Sequence, residues 1–293
     1  MIRIGYVGVN TGLPSAGKTF RLAGYSEDRM LMVARANILA LEQILRWNLE
    51  HGITLFRITS GLIPFGSSPV NSGSWKSDCH DDLQTVGRFI IENGMRVSMH
   101  PGQYTVINAP VATIYANSLR DLEYHEALLS LMGLDNSHKI VVHGGGAYGE
   151  KDKYTRLLLE RLAALPAQTR SRLVIENDEL VYNAEEILAI CMKAGLPAVI
   201  DVFHHGVLPS FPGESLRQVI QRFGATWHGE RQKVHYSDQN PSKHKGAHSD
   251  TVDLESFAAF YKPVKDLDLD IMLEVKDKQA SVLKLRRAFS ELR

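Results

Sequence analysis

Residues 172–204 read RLVIENDELVYNAEEILAICMKAGLPAVIDVFH. An apolar run (172–177) is followed by a helical period over 183–195 and a second apolar run over 198–204. Strands joined by a helix of this length run parallel, because the crossover is too long for a hairpin. The first strand ends on Glu176, and the second carries Asp201 and His204.

The same unit recurs along the chain. Strand-like runs occupy 2–9, 54–60, 96–100, 139–143, 172–177, 198–204, 232–237 and 270–276. Helical periods fall near 28–50, 80–93, 113–134, 151–165, 183–195, 214–223, 253–263 and 278–292. Eight alternations in 293 residues predict one α/β domain over 1–293, a (β/α)8 TIM barrel. An open doubly wound sheet is the alternative. Long loops at 10–26, 61–79 and 237–252 follow strand C-termini, on the face where barrels build their sites.

The chain has 33 basic and 33 acidic residues and no formal net charge, which excludes a generic basic nucleic-acid coat. A hydrophobic share of 44% excludes a disordered tail protein. Cys79 and Cys191 lie far apart in no metal-type spacing, so a reduced, cytoplasmic setting is expected. MIRIGYVGVN reads as a strand rather than a signal peptide, and no apolar run approaches the ~20 residues of a membrane span. The unusual number is twelve histidines.

Many of these fall at strand ends. Strand 1 holds Tyr6 and ends at Asn10; strands 3 and 4 end at His100 and His143. Strand 5 ends at Glu176, strand 6 carries Asp201 and His204, strand 7 carries Lys233 and His235, and strand 8 carries Glu274. His248 lies in the loop after strand 7. In a barrel these ends converge on one rim. Imidazole and carboxylate without thiolate suit manganese, zinc or iron. The set exceeds the needs of one ion. Two or three ions activate water and stabilise both oxygens of an in-line phosphoryl displacement. A single strand-end histidine is an ordinary structural residue; six strands ending in His, Asp or Glu are not. His51, His80, His125 and His138 read as surface or structural, and His205 as facing away from His204 if the strand persists.

Residues 12–19 also satisfy the G-x-x-x-x-G-K-[ST] pattern of a phosphate-binding P-loop. That reading needs a helix starting at Lys18-Thr19, whereas Gly24 and a cap at Ser26 place the helix later. Lys18 and Arg21 then read as phosphate-backbone contacts.

Gly5-Tyr6-x-x-x-Asn10, Phe56-Arg57-Ile58, His100-Pro101-Gly102-Gln103-Tyr104, Ile175-Glu176-Asn177-Asp178, Asp201-x-x-His204-His205 and Lys233-x-His235-Tyr236-Ser237 together resemble the UV damage endonuclease family over residues 2–276. That family is similar in fold and metal arrangement to endonuclease IV, an abasic-site nuclease. The resemblance implies incision of double-stranded DNA immediately 5′ of cyclobutane pyrimidine dimers and 6-4 photoproducts, with abasic sites as a further candidate substrate. It implies two or three divalent ions, manganese before zinc, magnesium or cobalt. It places Glu176, Asp201, His235 and Glu274 around one metal, His100 and His143 with Glu176 on a second, and His204 and His248 on a third. Glu176, Lys233, His235 and Tyr6 are the expected catalytic residues. Asn10, Gln103, Tyr104, Lys18, Arg21, Lys243 and Lys245 become DNA or lesion contacts. Gln103 and Tyr104 would replace the stacking and pairing lost at a lesion. One departure lies near Ser68, where the family pattern has a histidine.

Lys233 shares the parity of His235 and should point inward, either to meet a phosphate or to be carboxylated. A monomer suits a protein that sets one site on a duplex, with downstream repair proteins as further partners. A metal-dependent sugar isomerase or epimerase of the same superfold and an inert lesion-binding protein are the competing readings. With cations bound and Lys18, Arg21, Lys76, Lys243 and Lys245 on the rim, the neutral chain would carry one cationic groove.

Overall fold

The computed structural model describes residues 1–292. Eight parallel strands close in sequence order into a barrel: β1 (Ile2–Gly8), β2 (Leu55–Ile58), β3 (Arg96–Met99), β4 (Ile140–His143), β5 (Leu173–Glu176), β6 (Ala198–Asp201), β7 (Gln232–Tyr236) and β8 (Leu269–Leu273). The principal helices between and after them are Glu27–Glu50, His80–Glu92, Ala112–Leu131, Lys151–Ala164, Ala184–Ala194, Leu216–Gly224, Leu254–Tyr261 and Gln279–Ala288. The closed barrel replaces the open-sheet alternative. No helix among the described residues is long and apolar enough to cross a membrane.

Strand alternation sorts the side chains. Ile4, Tyr6, Phe56, Ile58, Val97, Met99 and Val234 pack outward with the helices in one apolar cluster. Inside the barrel, Val141, Val174, Val199 and Trp227 form a separate small plug. Leu55 and Met272 share the inward parity, and the other inward positions are largely polar. At the N-terminal end, Asp270 accepts from Arg3 Nε at 2.7 Å, Arg96 Nη1 at 2.8 Å and Arg231 Nε at 2.7 Å. Burial alone would push the Asp270 carboxyl up, yet the hydrogen bonds and charges of Arg3 and Arg96 hold it below the ordinary range.

Residues 12–19 form turns, and the first long helix starts at Glu27. Ser26 caps it, accepting from Arg29 N, with Glu27 and Asp28 in the first turn. The Lys18 amide is already committed to Asn37 Oδ1 at 3.0 Å. The P-loop reading therefore fails, because no helix N-terminus faces the loop.

Two boundaries differ from the sequence reading in ways that matter. β6 stops at Asp201, whose carboxylate accepts from His204 N at 2.8 Å and caps a helical turn, Val202–Val207. His204 and His205 therefore sit on a helix, and strand parity does not govern them. β8 stops at Leu273, but Glu274 N still donates to Tyr236 O at 2.9 Å, so the side chain stays at the rim. Both cysteines are buried and unpaired.

Candidate metal centre

At the C-terminal rim, ligand-type atoms fall into two close groups that share Glu176. One is His100, His143 and Glu176; the other is Glu176, Asp201, His235 and Glu274. Each position follows from strand parity: His143 lies beside Glu176 across β4–β5, and Asp201 beside His235 across β6–β7. Glu176 is buried and central. Its Oε2 meets His100 Nε2 at 3.0 Å and His143 Nε2 at 3.4 Å, and its Oε1 meets His235 Nδ1 at 2.6 Å. His235 Nδ1 also lies 3.1 Å from Glu274 Oε1.

The electrostatics expose an anionic excess. Burial would push the Glu176 carboxyl up, but the charge on His235 and hydrogen bonds from His100 and His143 hold it well below the carboxylate range. Glu274 is also held well below, with Arg57 and His235 overcoming burial. Asp201 is pushed up by burial, helped by Glu176 and Glu274. The balancing protons sit on imidazoles. Despite burial, Glu176 lifts His143 to about 9, and Glu176 with Glu274 lifts His235 to about 9. His100 is pushed down by burial, with Arg57 and His143 adding to the effect. Asp201 Oδ2 is buried without a hydrogen-bond partner, and Glu274 Oε1 has ion-pair neighbours in Arg57 and His235 but no well-aligned hydrogen bond. A buried carboxylate oxygen without a partner is costly unless a cation takes it. The donor set, the orphaned Asp201 oxygen and the stored protons fit divalent cations at both groups.

The proton inventory has a measurable sign. His235 titrates at about 9 in the folded chain against an ordinary 6.5. Its contribution, and that of His143, is complete below about pH 6.5 and is lost as pH rises towards 9. Chelator-treated protein is therefore expected to lose thermal stability over this interval. Metal affinity is expected to rise over it, because ligation requires neutral imidazole. Thermal midpoints at several pH values, with and without Mn²⁺, read both.

His204 and His248 form a neighbouring pair, with ring centroids 5.5 Å apart, beside His143. Gln103 and Tyr104 are exposed just past His100, and Tyr104 is 82% exposed. Lys18, Arg21, Lys76, Lys243 and Lys245 are exposed on the rim loops. Ser68 lines a cleft with Gly102, Tyr104 and Thr105.

Three assignments change. Tyr6 is not in the site: it faces the helical layer, where its hydroxyl donates to Asn48 Oδ1 at 2.6 Å and burial pushes its pKa up. Asn10 is buried and cannot meet DNA. Its Oδ1 accepts from Gly12 N at 2.9 Å and its Nδ2 donates to Tyr6. Lys233 does point inward beside His235, but it is fully buried, so the phosphate-contact option falls.

The sequence reading gave no site role to Arg57, Glu179 or Lys278. Arg57 Nη1 pairs with Glu274 Oε1 at 2.7 Å. An arginine inside the apolar run LFRI, with inward parity, was the available signal. Lys278 lines the same cleft with a strained backbone, φ +55°. His125 is structural but not at the surface: it is buried, meets Ser60 Oγ at 2.9 Å, and Ser60 in turn donates to His100 O at 2.6 Å. His138 is also buried and accepts from the Val97 amide.

The family described as UV-endonuclease UvdE matches residues 2–293. A UV DNA damage endonuclease of Clostridium perfringens is 38% identical, over 99% of this chain and 71% of its own length. One from Bacillus mycoides is 32% identical, over 100% of this chain and 96% of its own. The solved structure of SacUVDE superposes with a TM-score of 0.94 at 39% identity, covering 99% of both chains. Endonuclease IV from Thermus thermophilus (TM-score 0.62, 16% identity, 99% of both chains) shares the fold. So does a D-psicose 3-epimerase (0.53, 12%, covering 82% of this chain and 83% of its own). On the match over residues 2–293 and the relatives above 30% identity, this chain belongs to the UV-endonuclease UvdE family.

Proposed function

We propose that this protein is a UV DNA damage endonuclease that cuts double-stranded DNA immediately 5′ of cyclobutane pyrimidine dimers and 6-4 photoproducts, with abasic sites as further substrates. The observation that carries the reading is the convergence of His100, His143, Glu176, Asp201, His235 and Glu274 at one rim, with Glu176 common to both groups. These six residues, with His204 and His248, are the metal ligands in this reading, and manganese is the first candidate. Bound cations would supply activated water and charge neutralisation for in-line displacement at phosphorus.

The chain's own groups do the rest. Glu176 fixes His100, His143 and His235 relative to one another. Arg57 holds Glu274 at the rim and adds positive charge where an anionic phosphate must approach. Lys18, Arg21, Lys243 and Lys245 contact the backbone of the duplex. Gln103 and Tyr104 enter it at the lesion. A dimer is already partly unstacked, so its extrusion costs less than that of intact bases. Tyr104→Ala is expected to weaken binding to a dimer-bearing duplex by roughly 10- to 100-fold while leaving the thermal midpoint unchanged. Fluorescence anisotropy on damaged and undamaged duplexes measures the first, and differential scanning calorimetry the second.

Lys233 is the carboxylation site in this reading. Burial, with Arg96 adding to it, holds its pKa well below the ordinary value, which leaves the neutral amine that CO₂ addition requires. Addition forms an N–C bond, releases one proton and gives a carbamate anion beside Arg57 and Arg96. Native mass spectrometry without one added CO₂ would remove this assignment.

An epimerase shares the barrel, but the exposed Tyr104 and the basic loop Lys243-His244-Lys245 favour a nucleic-acid substrate. A duplex carrying one thymine dimer, end-labelled and incubated with Mn²⁺, tests the proposal: one cut 5′ of the dimer supports it, and an intact strand across several metals refutes it.

A further inference from the structure

His204 and His248 stand outside the two groups centred on Glu176, yet both rings are fixed in the same way. His204 Nδ1 lies 3.0 Å from the Asn177 carbonyl, and His248 Nδ1 lies 2.6 Å from the Ser237 hydroxyl. A carbonyl only accepts, so the His204 proton is on Nδ1. Anchoring Nδ1 through a neighbouring oxygen leaves Nε2 as the outward donor atom, which is how ligating imidazoles are held.

Glu179 is aimed at the same place. Its Oε2 lies 3.6 Å from His204 Nε2, and His204 is its only charged partner within 4 Å among the described residues. That separation is too long for a good hydrogen bond. With a neutral His204 carrying its proton on Nδ1, it sets two lone-pair atoms against each other, so the place between them calls for a positive charge, either a second proton on Nε2 or a cation. The local chain builds this arrangement deliberately. Asp178 accepts from Leu180 N at 2.8 Å and Tyr182 N at 3.0 Å, a turn that presents Glu179 to the rim. The loop carrying His248 folds over Glu179 at Gly246, whose φ is +92° and where a Cβ would stand 3.1 Å from Glu179 Cγ. The bridge between Gln239 and His248 fixes the far end of that loop.

We propose that Glu179 is the carboxylate ligand of the third cation, which completes a two-histidine, one-carboxylate set with Nε2 of His204 and Nε2 of His248. The inference rests on the multi-metal reading above. Such a set suits manganese, iron or zinc. It also gives the loop 237–252 a cation-dependent tie to the turn after β5, independent of the Glu176 groups.

The test counts ions. Metal-depleted full-length protein is titrated with Mn²⁺, and bound metal is measured by plasma mass spectrometry after equilibrium dialysis. Glu179→Gln is expected to bind its weakest ion roughly 10- to 100-fold less tightly, while the ions at the Glu176 groups stay bound and report an intact fold. His248→Ala is expected to lose the same ion. Unchanged number and affinity in Glu179→Gln would overturn the inference, as would loss of an ion in His248→Ala alone. Wild-type protein that binds no Mn²⁺ would instead overturn the metal reading of the whole rim.

Discussion

Replacing Glu176 with glutamine is expected to slow incision of dimer-bearing DNA by on the order of 10³-fold or more. Glu176 is the one side chain common to both ligand groups, and it contacts three histidines through two oxygens. Glutamine keeps the shape but offers a single neutral acceptor, so both cation positions lose a ligand together. The change also removes the charge that lifts His143 and His235 to about 9. Their titration should move down towards ordinary imidazole values, which histidine NMR titration of metal-free protein detects independently of activity. Single-turnover rates at saturating Mn²⁺ measure the first effect. A loss under tenfold would mean that Glu176 orients neighbours without holding cations.

Asp270→Asn is expected to be the most destabilising single change at the closed end of the barrel. This fully buried carboxylate is shared by Arg3, Arg96 and Arg231. Removing its charge leaves three guanidinium groups crowded beneath Lys233, with only the exposed Glu230 and Asp268 left to answer Arg96 and Arg231. Breaking a buried ion network from one side costs about 3–5 kcal/mol, or roughly 5–15 °C in thermal midpoint for a chain of this size. Asp268→Asn is the control. Asp268 is 63% exposed in its pairs with Met1 and Arg231 and should change stability by no more than about 1 kcal/mol. Equal effects of the two substitutions would show that the Asp270 network does not hold the barrel end together.

The barrel was legible because its signal is repetition: apolar runs alternate with helical periods, and turn-rich loops follow the strands. The strand-end His, Asp and Glu residues were legible for the same reason, since closure brings the ends of different strands to one rim. What sequence could not settle was direction at single positions. Tyr6 occupies the helix-facing parity of β1, where Asn48 waits in a helix more than forty positions away. Nothing local to Tyr6 or Asn10 announces that partnership. His204 reached the rim by a route unlike the one expected, because Asp201 ends its strand and caps a helical turn. Arg57 was hidden by its apolar neighbours, and Glu179 by a turn whose geometry appears only once Asp178 closes it. Lys233 was placed correctly inside by parity, but only packing shows that it is sealed from any phosphate.

The central claim is that the rim cluster holds cations that cut damaged DNA. The most direct measurement is single-turnover cleavage of an end-labelled duplex with one thymine dimer, using chelator-treated wild-type protein before and after Mn²⁺ is restored, with Glu176→Gln alongside. The account predicts no cleavage without metal, one product ending 5′ of the dimer when Mn²⁺ is restored, and almost none from the variant. Cleavage at full rate in the presence of chelator, or equal cleavage by Glu176→Gln, would contradict it.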